Sequence, residues 1–319
     1  MKNKKLMLSF GPVPSRRFGQ SLGINNITPK KICTYSCVYC QLGRTNNQIS
    51  QRKSFYEPKE INHAVKNKIK EARWQGEQID YLTFVSCGEP TLDINIGKEI
   101  EILKSLGISI GVITNSSLLW KEDVKNDLSN ADCVSLKIDT VNENNWEKIN
   151  RPHPLLKIDK ILSGLTDFSQ VFHGKLITET MLIRNLNDNK KELETIANFI
   201  KKLDPKKSYI SIPIRPPTEK WAKPAAEIDL NIAYQVFNEK SINVEFLTGY
   251  EGNDFAFTGN VEEDLLAITS VHPMRKESVN NFLSKAKAGW AVIEKMIKED
   301  KLIEVEYNDK KFYLRKLQK

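Results

Sequence analysis

Apolar and polar residues alternate along the middle of the chain with two different periods. Between residues 57 and 250, segments with an apolar residue every three or four positions predict helices, and short apolar runs between them predict strands. The first helix opens at Pro58 and places Ile61, Val65, Ile69 and Ala72 on one face. The predicted strands are residues 22–27, 79–86, 108–115, 133–139, 176–183 and 209–214, with 244–247 as a seventh candidate. This alternation is typical of βα units and a parallel sheet.

Six βα units are too few to close a barrel, because a closed barrel of this kind has eight. The sequence therefore predicts the α/β class and a partial (β/α)6 barrel of the TIM type. Binding sites in such folds lie at the carboxyl ends of the strands. We expect the functional residues at that edge of the sheet.

The end of the chain follows a different pattern. Helices are predicted at residues 262–268, 276–286 and 288–299, and two alternating segments, 302–307 and 311–317, predict a hairpin around residues 308–310. Three helices and a hairpin predict a winged-helix-like domain. We place the boundary between residues 250 and 260, which gives a barrel over 1–255 and a basic C-terminal domain over 256–319.

The charge of the chain is unevenly distributed. Its 319 residues carry 48 Lys and Arg against 40 Asp and Glu, a formal net charge of +8. Residues 1–60 hold eleven basic and two acidic residues, and residues 275–319 hold twelve and seven. Basic ends suit a polyanionic partner such as RNA, although a lysine-rich solvated surface would give the same pattern. No run of about 18 apolar residues is present, so we expect no membrane span. The apolar stretch at residues 6–10 is too short for a signal peptide and the five cysteines do not form a disulfide framework, so we expect a cytoplasmic protein.

Three of the five cysteines, Cys33, Cys37 and Cys40, lie within eight residues. Such a group in a large chain indicates metal binding rather than disulfides. Three thiolates from one loop can bind three irons of a [4Fe–4S] cube and leave the fourth iron open for a small molecule. The alternative is Zn²⁺ with a distant histidine as fourth ligand, although no second Cys or His pair follows at the short spacing of structural zinc sites.

The cysteine loop, with Tyr39 before its last cysteine, resembles the signature loop of the radical S-adenosylmethionine (SAM) enzymes. Gly88-Glu89-Pro90, at the end of the second long predicted strand, is similar to the turn by which that family holds the methionine amino group of SAM. The resemblance implies a [4Fe–4S] cluster and SAM as cofactors. It also implies that the reduced cluster cleaves SAM to a 5′-deoxyadenosyl radical, which abstracts hydrogen from a substrate.

Polar residues on later strands are further candidates for SAM binding, because members of the family commonly use the fourth and fifth strands for this purpose. Strand alternation places Ser135, Lys137 and Asp139 on one face. Asn115 follows the third strand and Glu179 lies on the fifth. Structural hydrogen bonding or exposure to solvent explains each of these residues equally well.

Lys137 and Cys87 are the candidates for a catalytic side chain. A buried amine among apolar residues can have a lowered pKa and act as a nucleophile. An ion pair with Asp139 or Glu179 would instead make Lys137 structural. Cys87 immediately precedes the Gly-Glu-Pro turn, from which it could approach the cluster or the substrate.

Within this family, the chain resembles a bacterial and archaeal branch related to the Fe–S oxidoreductases of wybutosine synthesis, which modify transfer RNA. The segments that carry this narrower resemblance are residues 10–17, 39–43, 88–92 and 271–275. Those oxidoreductases carry additional N-terminal cysteines for a second cluster. Residues 1–32 contain no cysteine, which argues against the full wybutosine activity.

Charge and resemblance together give the expected partners. Arg16 and Arg17 lie near the cysteine loop and would contact the phosphates of an RNA substrate. A peptide or an anionic metabolite is the alternative substrate, and a non-catalytic nucleic-acid-binding module with a structural metal is the alternative function. A flavodoxin- or ferredoxin-like protein is the expected electron donor.

Overall fold

A curled eight-stranded sheet forms half of a barrel in the computed structural model, which describes residues 8–28, 30–249 and 252–316. Its strands, together with the separate pair β3 and β4, are β1 (Ser9–Ser15), β2 (Gly19–Ile24), β3 (Ile32–Cys33), β4 (Asn47–Gln48), β5 (Tyr81–Phe84), β6 (Ser109–Thr114), β7 (Cys133–Lys137), β8 (Lys175–Met181), β9 (Lys207–Ser211) and β10 (Val244–Leu247). The spatial order is β1-β2-β5-β6-β7-β8-β9-β10. The predicted α/β class and partial barrel are confirmed.

The number of strands corrects the predicted (β/α)6 arrangement. Strands β2 and β5 to β10 are all parallel, so the seventh candidate strand is present. The eighth strand, β1, pairs antiparallel with β2 and has an irregular register between Phe10 and Val13. Gly11 and two prolines interrupt its apolar pattern, and such residues indicate a loop rather than a strand.

Helices cover the outer face of the sheet. The helices of the barrel are α1 (Pro58–Trp74), α2 (Ile96–Lys104), α3 (Glu122–Leu128), α4 (Glu143–Asn150), α5 (Ile158–Val171), α6 (Lys190–Leu203) and α7 (Glu227–Glu239). A capping box formed by Glu57 and Glu60 starts α1, and the Asn189 side chain caps α6. None of the helices in the described ranges combines the length and the hydropathy needed to cross a bilayer.

The two faces of the sheet have separate hydrophobic clusters. Val134 and Leu136 of β7 point outward and pack with the helices. Cys133, on the same strand, points inward and packs with Phe18 and Tyr209. Alternation along β7 therefore places Ser135 and Lys137 on the inner face of the half-barrel, as predicted.

The C-terminal region packs against the antiparallel end of the sheet. Its elements are α8 (Val261–Thr269), β11 (Met274–Arg275), α9 (Lys276–Lys285), α10 (Ala291–Lys298), β12 (Leu302–Tyr307) and β13 (Lys310–Arg315). The three strands form a sheet in the order β11-β13-β12. The hydrophobic cluster of this region also includes Phe10, Val13 and Cys87. The domain boundary stays a prediction, and residues 250, 251 and 317 lie outside the described residues.

Candidate active site

The cysteine loop is fixed by the end of α4 and by the turn that follows β5. The backbone N–H groups of Ser36 and Val38 donate to the carbonyl groups of Asn150 and Ile149, at 2.9 Å each. The last carbonyls of a helix have no partner within the helix, so the loop satisfies groups that would otherwise need water. The loop thus lies at the carboxyl edge of the sheet, where the sequence predicts it.

Gly88 allows the turn after β5 to approach the cysteine loop closely. The N–H of Glu89 donates to the Ile32 carbonyl at 3.1 Å, and the N–H of Ile32 donates to the Cys87 carbonyl at 3.1 Å. A Cβ atom at Gly88 would lie 1.6 Å from the Ile32 carbonyl oxygen, and the residue has a φ of +152°. Only glycine fits this position. The turn therefore lies directly beside the first cysteine, at Cys33.

Each of the three loop cysteines accepts a hydrogen bond from a nitrogen donor. Asn115 Nδ2 lies 3.4 Å from Cys33 Sγ, Asn150 Nδ2 lies 3.4 Å from Cys37 Sγ, and Lys31 Nζ lies 3.1 Å from Cys40 Sγ. Burial raises the pKa of the Cys33 thiol to about 11 and that of the Cys37 thiol to about 12. Donors of this kind favour a thiolate, which is the form that binds metal.

These thiols fit an iron–sulfur cluster by their chemistry. Three cysteines from one loop match the number needed for a [4Fe–4S] cube with one open iron, and N–H donors to the sulfurs are a typical environment of such clusters. In residues 8–28, 30–249 and 252–316, no three His, Cys, Asp or Glu side chains converge on a single metal position. A cube does not require such convergence, because each cysteine binds a different iron.

Both oxygens of the Glu89 carboxylate accept hydrogen bonds from other groups of the protein. Its Oε1 accepts from Thr91 Oγ1 at 2.6 Å and from Thr114 Oγ1 at 2.7 Å, and its Oε2 accepts from the Asn115 N–H at 2.7 Å. Burial raises its pKa, and the hydrogen bonds act in the opposite direction. Glu89 thus fixes the loop after β6. Pro90 opens a short 3₁₀ turn, Pro90–Leu92, that follows Glu89.

Asn115 connects the turn after β5 to the cysteine loop. Its backbone binds Glu89, while its side-chain Nδ2 donates to Thr34 Oγ1 at 2.8 Å and to Cys33 Sγ at 3.4 Å. Its Oδ1 accepts from the Ser117 N–H at 3.0 Å. The structure therefore brings three of the predicted site residues, Cys33, Glu89 and Asn115, into one hydrogen-bonded group.

A second group of predicted residues forms an ion-pair network on the inner face of the sheet. Lys137 Nζ lies 2.7 Å from Glu179 Oε1 and 4.0 Å from Asp139 Oδ1, and Arg17 forms an ion pair with Glu179 Oε2. Burial acts to lower the pKa of Lys137, but Glu179 and Asp139 outweigh it and raise that pKa. The ion pair that the sequence predicts as the alternative to a nucleophile is therefore present, and the amine is held in its charged form.

Glu179 is the acidic centre of this network. Burial acts to raise its pKa, but Lys137 and Arg17 outweigh burial and lower it. Ser211 Oγ adds a hydrogen bond to Oε1 at 2.9 Å. Ser135 is buried on the same inner face, two residues before Lys137 on β7. The carboxylate of Glu179 therefore stays ionised throughout the neutral range.

Tyr39 and Asp139 join the cysteine loop to this network. The Tyr39 hydroxyl donates to Asp139 Oδ2, Asn150 Nδ2 donates to the same oxygen at 2.7 Å, and Lys137 Nζ lies 5.0 Å from the centre of the Tyr39 ring. Burial raises the pKa of Tyr39 well above its usual value, so the hydroxyl keeps its proton. Asp139 thus binds both the cysteine loop and Asn150, the end of the helix that holds this loop.

Two candidates lie away from these groups. Cys87 packs in the cluster of the C-terminal region, where its Sγ accepts from Asn25 Nδ2 at 3.5 Å, and burial raises its pKa to about 12. Arg16 is exposed and donates from Nη1 to the Phe246 carbonyl at 2.9 Å. Arg17, its neighbour, points into the half-barrel instead.

Sequence reasoning missed several residues that touch the cysteines. Lys31 and Asn150 donate to the sulfurs, and Gln41 connects the loop to the C-terminal region through a 2.6 Å bond from its Nε2 to the Val271 carbonyl. Gln41 could have been identified as a site residue from its position beside Cys40. Asn150 could not have been identified, because a single asparagine at a helix end is common for structural reasons.

Fold and site together define an α/β half-barrel with a three-cysteine loop at its carboxyl edge, and the comparisons with known proteins agree. The model of the Radical SAM superfamily matches residues 27–200. A UPF0026 protein of Methanocaldococcus jannaschii is 48% identical over 314 residues, which cover 98% of this chain and 97% of that protein. A UPF0026 protein of Helicobacter pylori is 32% identical and covers 70% and 71% of the two chains. The chain belongs to the radical SAM superfamily, as predicted.

Solved structures share the fold of this chain at low sequence identity. A radical SAM methyltransferase from Sphaerobacter thermophilus has a TM-score of 0.52 and 14% identity, over 72% of this chain and 66% of that chain. TYW1 with a lysine–pyruvate adduct bound, a protein of wybutosine biosynthesis, has a TM-score of 0.52 and 16% identity, over 68% and 73%. These similarities concern the fold alone.

Proposed function

We propose that this chain is a radical SAM enzyme in which Cys33, Cys37 and Cys40 bind three irons of a [4Fe–4S] cluster and SAM binds the fourth. The cluster and SAM, when bound, would supply the 5′-deoxyadenosyl radical that removes hydrogen from the substrate. The observation that carries this proposal is the loop itself, in which each of three thiols accepts a hydrogen bond from a nitrogen donor. Superfamily membership supports the enzyme over the alternative of a nucleic-acid-binding module.

Residues of this chain would hold the cluster and orient SAM. Asn115, Asn150 and Lys31 stabilise negative charge on the sulfurs. Because the Glu89 carboxylate is already engaged, we propose that it positions Asn115 and that the backbone of Gly88–Glu89 faces the SAM amino group.

The inner-face residues are the proposed contacts for the rest of SAM. Ser135, Asp139 and Glu179 offer polar groups at the carboxyl half of β7 and β8, beside Tyr39 of the cysteine loop. We propose that Lys137 positions Glu179 and Tyr39 and is not a nucleophile, since it is held charged by two carboxylates.

The C-terminal region and the partners are parts of the same proposal. The order of helices α8, α9 and α10 followed by a hairpin supports a winged-helix assignment. The proposed electron donor is a flavodoxin- or ferredoxin-like protein. This proposal is supported by a cleft of about 360 Å³ that is lined by Cys40, Arg315 and Lys316. Basic side chains there would attract an acidic donor toward the cluster. RNA as substrate remains a prediction.

The proposal is tested by reconstituting the protein anaerobically with iron and sulfide and adding SAM with a strong reductant. We expect release of 5′-deoxyadenosine, measured by liquid chromatography and mass spectrometry, and its loss in Cys37→Ala. Cys133→Ala is the matched control, because Cys133 is also a free cysteine but lies among apolar side chains inside the half-barrel. A wild-type protein that contains four iron atoms and releases no 5′-deoxyadenosine would refute the proposal.

A further inference from the structure

A cavity of about 90 Å³ lies on the inner side of the half-barrel, between the sheet, the cysteine loop and the C-terminal region. Its polar walls come from four distant parts of the chain. Arg17 follows β1, Gln41 follows Cys40, Arg215 follows β9, and His272 precedes β11. The C-terminal region therefore completes a cavity that the half-barrel alone leaves open.

The groups that line this cavity hold one another in place. Arg215 donates from Nη1 to Gln41 Oε1 at 3.1 Å and from Nη2 to His272 Nε2 at 3.0 Å. Gln41 in turn donates to the Val271 carbonyl at 2.6 Å. These bonds fix the guanidinium against the cavity wall, which reduces the cost of ordering it around a ligand.

Arg17 supplies a second guanidinium to the same cavity. Its Nη1 pairs with Glu179, which also binds Lys137, so one carboxylate serves two cations. Among the residues that the structure describes, no acceptor lies within hydrogen-bond distance of the buried Arg17 Nε. A buried N–H without an acceptor is unusual in proteins and marks a place where a ligand oxygen is favourable.

His272 lines the cavity as a neutral group. Burial, and then the charge of Arg215, lower its pKa well below the usual value, so the imidazole is neutral at pH 7. Arg215 Nη2 lies 3.0 Å from its Nε2 and 3.4 Å from its Nδ1, so the imidazole holds the guanidinium in place and adds no charge to the cavity. The Phe255 ring, 5.1 Å away and edge-on, holds the orientation of the imidazole.

We propose that this cavity binds the anionic group of a small organic substrate, a carboxylate or a phosphate ester, between the guanidinium groups of Arg17 and Arg215. Guanidinium groups bind both kinds of anion with two parallel hydrogen bonds. A cavity of about 90 Å³ is large enough to accommodate such an anionic group. The inference rests on the proposed function, since Gln41 places the cavity directly after the last cluster cysteine.

The test measures binding of two probes, inorganic phosphate and acetate, by calorimetry. It uses the anaerobically reconstituted protein with SAM and without reductant, so that no radical forms. We expect saturable binding of at least one probe at a single site. Tighter binding of phosphate assigns a phosphate ester, and tighter binding of acetate assigns a carboxylate. Because no turnover is needed, failure to release 5′-deoxyadenosine would not affect this measurement.

Variants connect the binding to the cavity. Arg17→Gln should weaken binding of the probe by roughly tenfold or more, as expected for loss of a charged hydrogen bond. Arg215→Gln tests the same cavity from another part of the chain if Arg17→Gln does not fold. The control is Arg73→Gln, which removes the same charge from the exposed face of α1. Equal weakening by the control, or RNA binding without saturable binding of either probe, would overturn the proposal.

Discussion

Replacing Glu179 with glutamine tests whether the inner-face ion pairs stabilise the fold. The substitution keeps the shape of the side chain and removes its charge, which leaves Lys137 and Arg17 without their shared carboxylate. The side chains of Glu179, Lys137 and Arg17 are 10%, 16% and 14% exposed. Charges this deeply buried are costly without a partner, and breaking such a pair costs about 3–5 kcal/mol of the free energy of unfolding. Because all three retain some exposure, we expect a loss of about 3 kcal/mol.

The assay is chemical denaturation followed by circular dichroism, with wild type and variants prepared identically. Glu245→Gln is the matched control, because Glu245 pairs with Lys207 at the same 2.7 Å but with 43% and 31% of the two side chains exposed. An exposed pair contributes about 0–1 kcal/mol. If Glu179→Gln loses no more stability than Glu245→Gln, the inner-face network does not stabilise the fold and our reasoning is wrong.

The same network predicts how stability depends on pH. The pKa of Glu179 is lower in the folded protein than in the unfolded chain, where it is about 4.3. Its contribution is therefore complete above that pH and is lost as pH falls toward the folded pKa. The stability difference between wild type and Glu179→Gln should be constant near neutral pH and should shrink below about pH 4.

Two further substitutions test the surroundings of the cysteine loop. Gly88→Ala should lower the amount of iron bound after reconstitution, because the new Cβ would overlap the Ile32 carbonyl. Gly107→Ala is the control, because Gly107 also has a positive φ but has open space around it. This control should bind iron normally and lose about 1–2 kcal/mol in stability. Normal iron content in Gly88→Ala would contradict the steric argument. Asn115→Ala removes an N–H donor from Cys33. It should lower the reduction potential of the proposed cluster, by about 45 mV if the bond favours the reduced state by about 1 kcal/mol. A redox titration followed by electron paramagnetic resonance measures this, and an unchanged potential would show that the bond is unimportant.

Local patterns were enough to predict the parallel strands and their faces. Period-two alternation placed Ser135 and Lys137 on the inner side of β7, and the predicted ion pair of Lys137 with Glu179 is present at 2.7 Å. Strand β1 was missed because its stability comes from pairing with β2, which the sequence of β1 does not show. An edge strand can contain prolines that a central strand cannot.

The partners of the site residues could not be predicted, because they depend on contacts between distant segments. Glu89 looked available to a ligand until the structure placed Thr114 and Asn115, from the end of the next strand, against its carboxylate. For the same reason, the pKa of Lys137 is raised, whereas a nucleophilic lysine needs a lowered pKa. Burial alone lowers the pKa of an amine, and the outcome is decided by whether a carboxylate lies beside it.

The shared core of β1 and the C-terminal region limits how this protein can be divided or recombined. Phe10 and Val13 of β1 pack in the same cluster as Leu265 and Phe282. A chain cut after residue 255 would expose an apolar surface on the first strand of the sheet, and such surfaces promote aggregation. Exchange of the C-terminal region between relatives would need matching changes in β1. These two ends of the sequence should therefore have changed together during evolution, although more than 200 residues separate them.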